Sequence, residues 1–237
     1  MEKEFKFNEK EHLYTLDGKP MTGVTTILSV IAKPALIQWA ANMACDYVDK
    51  ASQSEKFTLK DLPDILKEAR LAHRKKKEDA GSKGTDVHKE IEGIIKVFLL
   101  TDGLPEYLAN LSEQAKLFVA WAKENKVKFL ASEKRVYNDD EKLWYAGTAD
   151  FVAEIDGKKY VGDTKTSNQI YPEAFYQMAA YRAALERMGE TDFAGSVVVN
   201  INKKNELKVE YSYFYQEDWD AFWGALKIYK RQNKITN

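Results

Sequence analysis

The sequence predicts an α/β (α+β) protein, a central mixed β-sheet flanked by helices, on three observations. Apolar residues recur at helical spacing over 86–125, change to strand-type alternation over 127–165, and return to helical spacing after Pro172. Asp156-Gly157 stands between two alternating runs, the strongest short-range mark of a two-residue type I′ hairpin. The chain, 237 residues with 44% hydrophobic and 31% charged, is long and apolar enough to bury a sizeable core. The order helix, strand, strand, strand, helix, strand calls for a sheet with helices packed on it.

The elements follow in chain order. Residues 4–20 alternate through Phe5, Phe7 and Leu13-Tyr14-Thr15-Leu16 to Asp17-Gly18, a small hairpin leading into Met21. Thr25 or Thr26 then caps a helix whose apolar faces, Ile27, Leu28, Ile31 and later Leu36, Ile37 and Trp39, are interrupted at Pro34. Residues 46–80 turn polar, with a short helix from Asp61-Leu62-Pro63. The basic run His73-Arg74-Lys75-Lys76-Lys77 reads first as a solvated helix face and second as a DNA contact.

Gly81 to Gly84 is expected to break that helix and Thr85 to cap the next, Asp86 to about Leu100. On it Val87, Ile91, Ile94, Ile95 and Phe98 form an apolar stripe, while His88 and Glu92 share a face at i and i+4. A second helix is expected over Glu106 to Asn125. Strands follow over Val127–Tyr137, Trp144–Ile155 and Lys158–Lys165. Pro172 opens a helix ending at Gly189, and a strand pair and a closing amphipathic helix complete the chain. A division at residue 80 is expected, with 1–80 an N-terminal hairpin and helical extension and 81–237 the core, the whole packed as one compact domain.

The Asp-Gly turn fixes a register. Ile155 pairs with Lys158, Glu154 with Lys159, Phe151 with Gly162, and Asp150 with Asp163, which makes the two aspartates cross-strand neighbours. Like charges so placed are destabilising unless neutralised, and a hard divalent cation, Mg²⁺ or Mn²⁺, would take an oxygen from each. Lys165 lies two residues on, on the same face as Asp163. An ordinary solvated hairpin explains the same residues.

Composition narrows the field. Net charge is −1, so bulk charge announces no nucleic-acid partner, and phosphate contact would need a local basic groove. The single cysteine excludes an intramolecular disulfide and the thiolate set of an iron–sulfur cluster or zinc ribbon. The charged N-terminal stretch lacks a signal-peptide core and no run has the length of a membrane span, which makes the cytoplasm the expected location.

Four short patterns resemble the PD-(D/E)XK nuclease superfamily, in its RecB-like and phage exonuclease branch. They are Gly84-x3-His88-x2-Ile91-Glu92, Gly147-Thr148-Ala149-Asp150, Asp163-Thr164-Lys165-Thr166 and Gln177-x3-Tyr181, covering roughly residues 81–202. The resemblance implies a restriction-endonuclease-like αβββαβ core with an N-terminal helical extension. It also implies a metal-dependent deoxyribonuclease in bacterial or phage-infected host cytoplasm, serving recombination, repair or phage DNA metabolism. By that likeness Asp150 and Asp163 are metal ligands, His88 a further ligand, Lys165 the catalytic lysine, and Gln177 and Tyr181 the helix that holds the site or the DNA. Ala149 stands where the superfamily name has proline, and Asp163 is the second acid.

One or two Mg²⁺ or Mn²⁺ ions would lower the pKa of bound water and relieve phosphate charge, with Lys165 orienting or deprotonating that water or stabilising developing charge. Glu133 reads first as a structural ion-pair partner and second as a site residue, and so does Glu92. The turn holding Lys83 and Thr85, ahead of a helix N-terminus, would hold a phosphate or stand as a solvated cap. Linear or single-stranded DNA ends are the expected partner, with room for a homo-oligomer or a recombination partner protein. A catalytically silent DNA-binding or recombination-accessory module of the same fold is the alternative.

Overall fold

The computed structural model describes residues 3–31, 33–54, 57–105 and 109–235, and omits the side chains of 34–35, 77–83 and 85. It forms two units, Ala32–Asp86 and the remainder, so Met1–Ile31 belongs with Val87–Asn237 and the division does not fall at residue 80. In the smaller unit lie α2 (Pro34–Ser52), a 3₁₀ turn at Leu59–Asp61 closed by a Thr58/Asp61 capping box, and the first part of α3.

Helix α3 runs from Leu62 to Thr101 without interruption. The expected break at Gly81–Gly84 and cap at Thr85 are therefore corrected. Each interior glycine costs about 1 kcal/mol relative to alanine. Ending one helix and nucleating another costs more than propagating through two glycines between good helix formers. No helix N-terminus exists at Thr85, so the expected phosphate seat at Lys83 and Thr85 loses its basis; their side chains lie outside those described.

The larger unit is built on one mixed sheet. Its strands are β1 (Phe5–Asn8), β2 (Leu13–Leu16), β3 (Lys19–Gly23), β4 (Lys128–Asn138), β5 (Tyr145–Ile155), β6 (Lys158–Lys165), β7 (Phe193–Ile201) and β8 (Leu207–Ser212). The path is β1-β2-β3-β5-β6-β7-β8, with β4 on the other edge of β5. The N-terminal hairpin thus enters the sheet through β3, which pairs parallel with the start of β5 (Thr22↔Tyr145, Gly23↔Ala146). Asp17 and Gly18 have φ of 49° and 75°, the left-handed pair that a type I′ turn requires.

Two apolar layers cover the faces. Val87, Ile91, Ile94, Ile95 and Phe98 of α3 and Phe118, Val119 and Trp121 of α4 (Glu113–Glu124) bury one face against Phe151, Ala153, Val197 and Val199. Helix α4 starts later than expected because Ser112 caps it, its hydroxyl accepting from Ala115 N–H; Leu108 lies outside the described residues. On the other face α1 (Val24–Leu28), α5 (Glu173–Arg187) and α6 (Tyr215–Gln232) supply Ile27, Met178, Tyr181, Leu185 and Phe222. Gly189, at φ 94°, ends α5 as expected, with Glu190 N–H donating to Leu185 C=O and Gly189 N–H to Glu186 C=O.

Strand β5 changes phase in its middle. Ala149 and Val152 pack with the α5 layer, whereas Phe151, Ala153 and Ile155 pack with the α3 layer. Strict alternation would keep Ala149 and Phe151 on one face. The slip falls at Asp150. Opposite it on β4, between the pairs Ser132↔Phe151 and Lys134↔Ala149, stands Glu133 with φ of 47°, a left-handed backbone within a strand. A further register shift at Phe129/Ala131 adds to the irregularity.

Candidate functional site

The site lies where β5 and β6 part. Their ladder follows the register of the Asp-Gly turn from Ile155↔Lys158 to Phe151↔Gly162, with no bulge, and ends there. The expected pairing of Asp150 with Asp163 is corrected: the phase slip at Asp150 carries β5 away, while β6 continues only along β7, with Thr164↔Val199 and Lys165↔Asn200. Thr164 N–H, left without a strand partner, donates instead to Asp150 Oδ2 at 2.8 Å. A carboxylate side chain replaces the missing rung.

Alternation along β6 then divides the site in two. Thr164 turns to the α3 side, where its hydroxyl donates to Asp150 Oδ2 at 2.7 Å and lies 3.0 Å from His88 Nδ1. The same imidazole nitrogen is 3.5 Å from Asp150 Oδ2. Burial lowers the His88 pKa, against the pull of Asp150.

Asp163 and Lys165 form the other half. Asp163 is 1% exposed and in ion contact with Lys165 Nζ. Among the described residues that ammonium is the one polar group that meets the buried Asp163 Oδ2. Burial pushes the Asp163 carboxyl up to about 7, with Lys165 opposing and Asp150 adding to the rise. Burial pulls the Lys165 ammonium down, but Asp163 and Asp150 outweigh it and its pKa ends raised. Lys165 Nζ reaches Gln177 Oε1 at 3.5 Å, and Gln177 Nε2 donates to Tyr181 OH at 2.9 Å. Tyr181 is fully packed, burial holds its phenol protonated, and its ring lies directly over Gly147, where a Cβ would overlap it.

Glu133 makes no salt bridge among the described residues, contrary to the structural pairing expected for it. Burial, then Asp150 and Glu92, push its carboxyl up to about 7. Glu92 pairs with Lys96 on its own helix. Lys159, register partner of Glu154, turns to Glu190 at 3.0 Å instead of forming the expected cross-strand pair. In the basic run Lys75 pairs with Glu68 at 2.6 Å, both exposed.

Residues that the sequence did not single out also shape the site. Tyr14 OH lies 2.9 Å from Thr148 Oγ1, linking the N-terminal hairpin to the strand of Asp150. Asn200, 2% exposed, donates to Ser167 C=O at 3.0 Å and accepts from Ser167 Oγ at 3.2 Å, anchoring the turn after Lys165. Thr164 was legible in principle, since strand alternation must turn the residue between Asp163 and Lys165 to the opposite face.

The donor types suit a hard divalent cation: the buried Asp163 Oδ2, which faces the Lys165 ammonium, Asp150 Oδ1, which makes no hydrogen bond among the described residues, and the far nitrogen of His88. They stand as two groups, Asp150 with His88 and Asp163 with Lys165. Among the described residues no three His, Cys, Asp or Glu side chains are gathered closely enough to hold one ion. Nor, among them, is any helix long and apolar enough to cross a membrane.

No family model matches the chain, and no curated protein does. Among solved structures, one described as the crystal structure of SSO0001 aligns over 52% of this chain and 58% of that one, at 13% identity and a TM-score of 0.33. A likeness that slight says nothing about activity.

Proposed function

We propose that the chain is a Mg²⁺- or Mn²⁺-dependent deoxyribonuclease that hydrolyses phosphodiester bonds at linear or single-stranded DNA ends, as an exonuclease or end-processing enzyme. The observation that carries this reading is the buried Asp163 carboxylate paired with the half-buried Lys165 ammonium, beside Asp150 where two strands part. It agrees with the likeness of the four sequence patterns to PD-(D/E)XK nucleases. Recombination, repair or phage DNA metabolism in a cytoplasm is the corresponding setting.

Asp150 with His88, and Asp163 in the other group, would offer donors to one or two cations whose shells water completes; such an ion, when bound, lowers the pKa of water and relieves charge on phosphate oxygens. The chain's own groups do the rest. Asp163 keeps Lys165 charged, and the Gln177 carbonyl fixes where its ammonium points. An ammonium so held stabilises negative charge on a phosphorane or orients the attacking water. Tyr181 stays neutral and packs the back of the site against Gly147, and because the Lys165 ammonium can only donate, the Gln177 carbonyl faces it and the amide nitrogen faces Tyr181.

Purified protein incubated with linear single- and double-stranded DNA, with each metal or with chelator, tests the reading. Metal-dependent cleavage is expected, reduced about 10²–10³-fold or more in Asp163→Ala and Lys165→Ala. No cleavage in either metal, or full activity in those variants, overturns it. Tight binding without cleavage identifies the silent DNA-binding module instead.

A further inference from the structure

We infer that Thr164 is a positioning residue that fixes His88 in the Nδ1–H tautomer and leaves Nε2 as the free acceptor of the ring. A threonine hydroxyl has one proton to give. Here it goes to Asp150 Oδ2 at 2.7 Å, the same oxygen that accepts Thr164 N–H at 2.8 Å and so presents lone pairs to both donors. His88 Nδ1, 3.0 Å from that hydroxyl, therefore meets a lone pair and must itself be the donor. The 3.5 Å separation of Nδ1 from Asp150 Oδ2 points the same way, since an unprotonated Nδ1 would face the carboxylate lone pair to lone pair. Thr164 is 2% exposed, so water does not compete for its hydroxyl.

The arrangement is a chain of hydrogen bonds that point one way: His88 Nδ1–H to Thr164 Oγ, Thr164 Oγ–H to Asp150. A ring nitrogen held as donor makes the opposite nitrogen basic, and such outer hydrogen bonds set the orientation of imidazole ligands. The middle residue of Asp163-Thr164-Lys165 thus serves the outer half of the site while its neighbours serve the inner half. On the nuclease reading Nε2 would face the cation; the tautomer itself rests only on the hydrogen-bond geometry.

The test is a two-bond ¹H–¹⁵N correlation spectrum of the imidazole rings, recorded on the whole chain above the titration range of the rings. Only three histidines contribute, and His88→Gln assigns the third. The expected result is a protonated Nδ1 and an unprotonated Nε2 for His88. Thr164→Ser should retain that pattern, and Thr164→Val should move His88 toward the Nε2–H form that free imidazoles favour. A wild-type His88 carrying its proton on Nε2 overturns the inference without any variant, and so does an unchanged Nδ1–H in folded Thr164→Val. Mn²⁺ titration followed by water-proton relaxation gives a second readout: Thr164→Val should bind about 10–100-fold more weakly and Thr164→Ser nearly as wild type. Equal binding by all three denies Thr164 its positioning role. If the wild type binds no Mn²⁺, the nuclease reading fails while the tautomer stands or falls on the spectrum.

Discussion

The two halves of the site share one tripeptide and treat charge in opposite ways. Asp163, on the α5 side, is 1% exposed and its Oδ2 meets the Lys165 ammonium. Asp150, on the α3 side, keeps 20% of its side chain exposed and takes two donors from Thr164, with His88, 35% exposed, beside it. The inner carboxylate is desolvated and its pKa pushed up by burial, whereas the outer one has its Oδ2 occupied by two donors from Thr164. A divided site of this kind can hold a lysine in a fixed charge state behind a more accessible acid that meets substrate, which is the division of labour the nuclease reading needs.

The largest consequence of that contrast is in the pH dependence of stability. With a folded value of about 7, Asp163 in the native chain keeps a proton that the unfolded chain releases near pH 4. Its stabilising contribution is therefore complete below about pH 4 and is lost as pH rises towards 7, at no more than about 1.4 kcal/mol per pH unit. Glu133, also near 7 but only half-buried, acts with the same sign and less strength because solvent screens it. Urea midpoints measured across this window should fall with pH in the wild type, lose most of that slope in Asp163→Asn and less in Glu133→Gln. If Asp163→Asn keeps the full slope, the inner carboxylate is not governed by burial and the contrast between the halves collapses.

Next in size is the packing behind the inner half. A Cβ on Gly147 would overlap the Tyr181 ring, and through Gln177 that ring fixes Lys165. Gly147→Ala should cost about 1–3 kcal/mol, the usual price of overpacking a core. In Tyr181→Ala the same substitution should be nearly neutral, so a double-mutant cycle reads the coupling directly. Additive costs would show that Gly147 is small for some reason other than Tyr181. Gly162→Ala, which meets Phe151 on the other face, should be comparably destabilising and leave the Lys165–Gln177 contact in place.

Much of this was legible in the sequence because it rests on local rules. The Asp156-Gly157 turn fixed five rungs of the β5–β6 ladder, and Pro172 and Gly189 bounded α5 as helix-end chemistry requires. The failures share a cause. At Gly81–Gly84 the local glycine signal lost to the cooperativity of a 40-residue helix. The sixth rung, Asp150 with Asp163, failed because counting outward from a turn presumes regular alternation, and no residue type marks the slip at Asp150. Glu133 is not a residue one places in the left-handed region, and Tyr14 meets Thr148, and Asn200 meets Ser167, only through pairings far apart in sequence.

The smallest expected effect tests that slip. A non-glycine residue in the left-handed region is disfavoured by about 1–2 kcal/mol, whereas glycine in a regular strand is worse than alanine by about 0.5–1 kcal/mol. The sign of Glu133→Gly against Glu133→Ala therefore reports the backbone at this position, and the shared loss of the carboxylate cancels between the two variants. With φ at 47°, the glycine variant should be the more stable of the pair by about 0.5–1 kcal/mol, measured as a higher urea midpoint at unchanged slope. The reverse order would mean that β4 runs extended through Glu133. Asp150 would then have no cause to leave the ladder, and the two halves of the site would rejoin as the facing aspartates that the turn alone predicts.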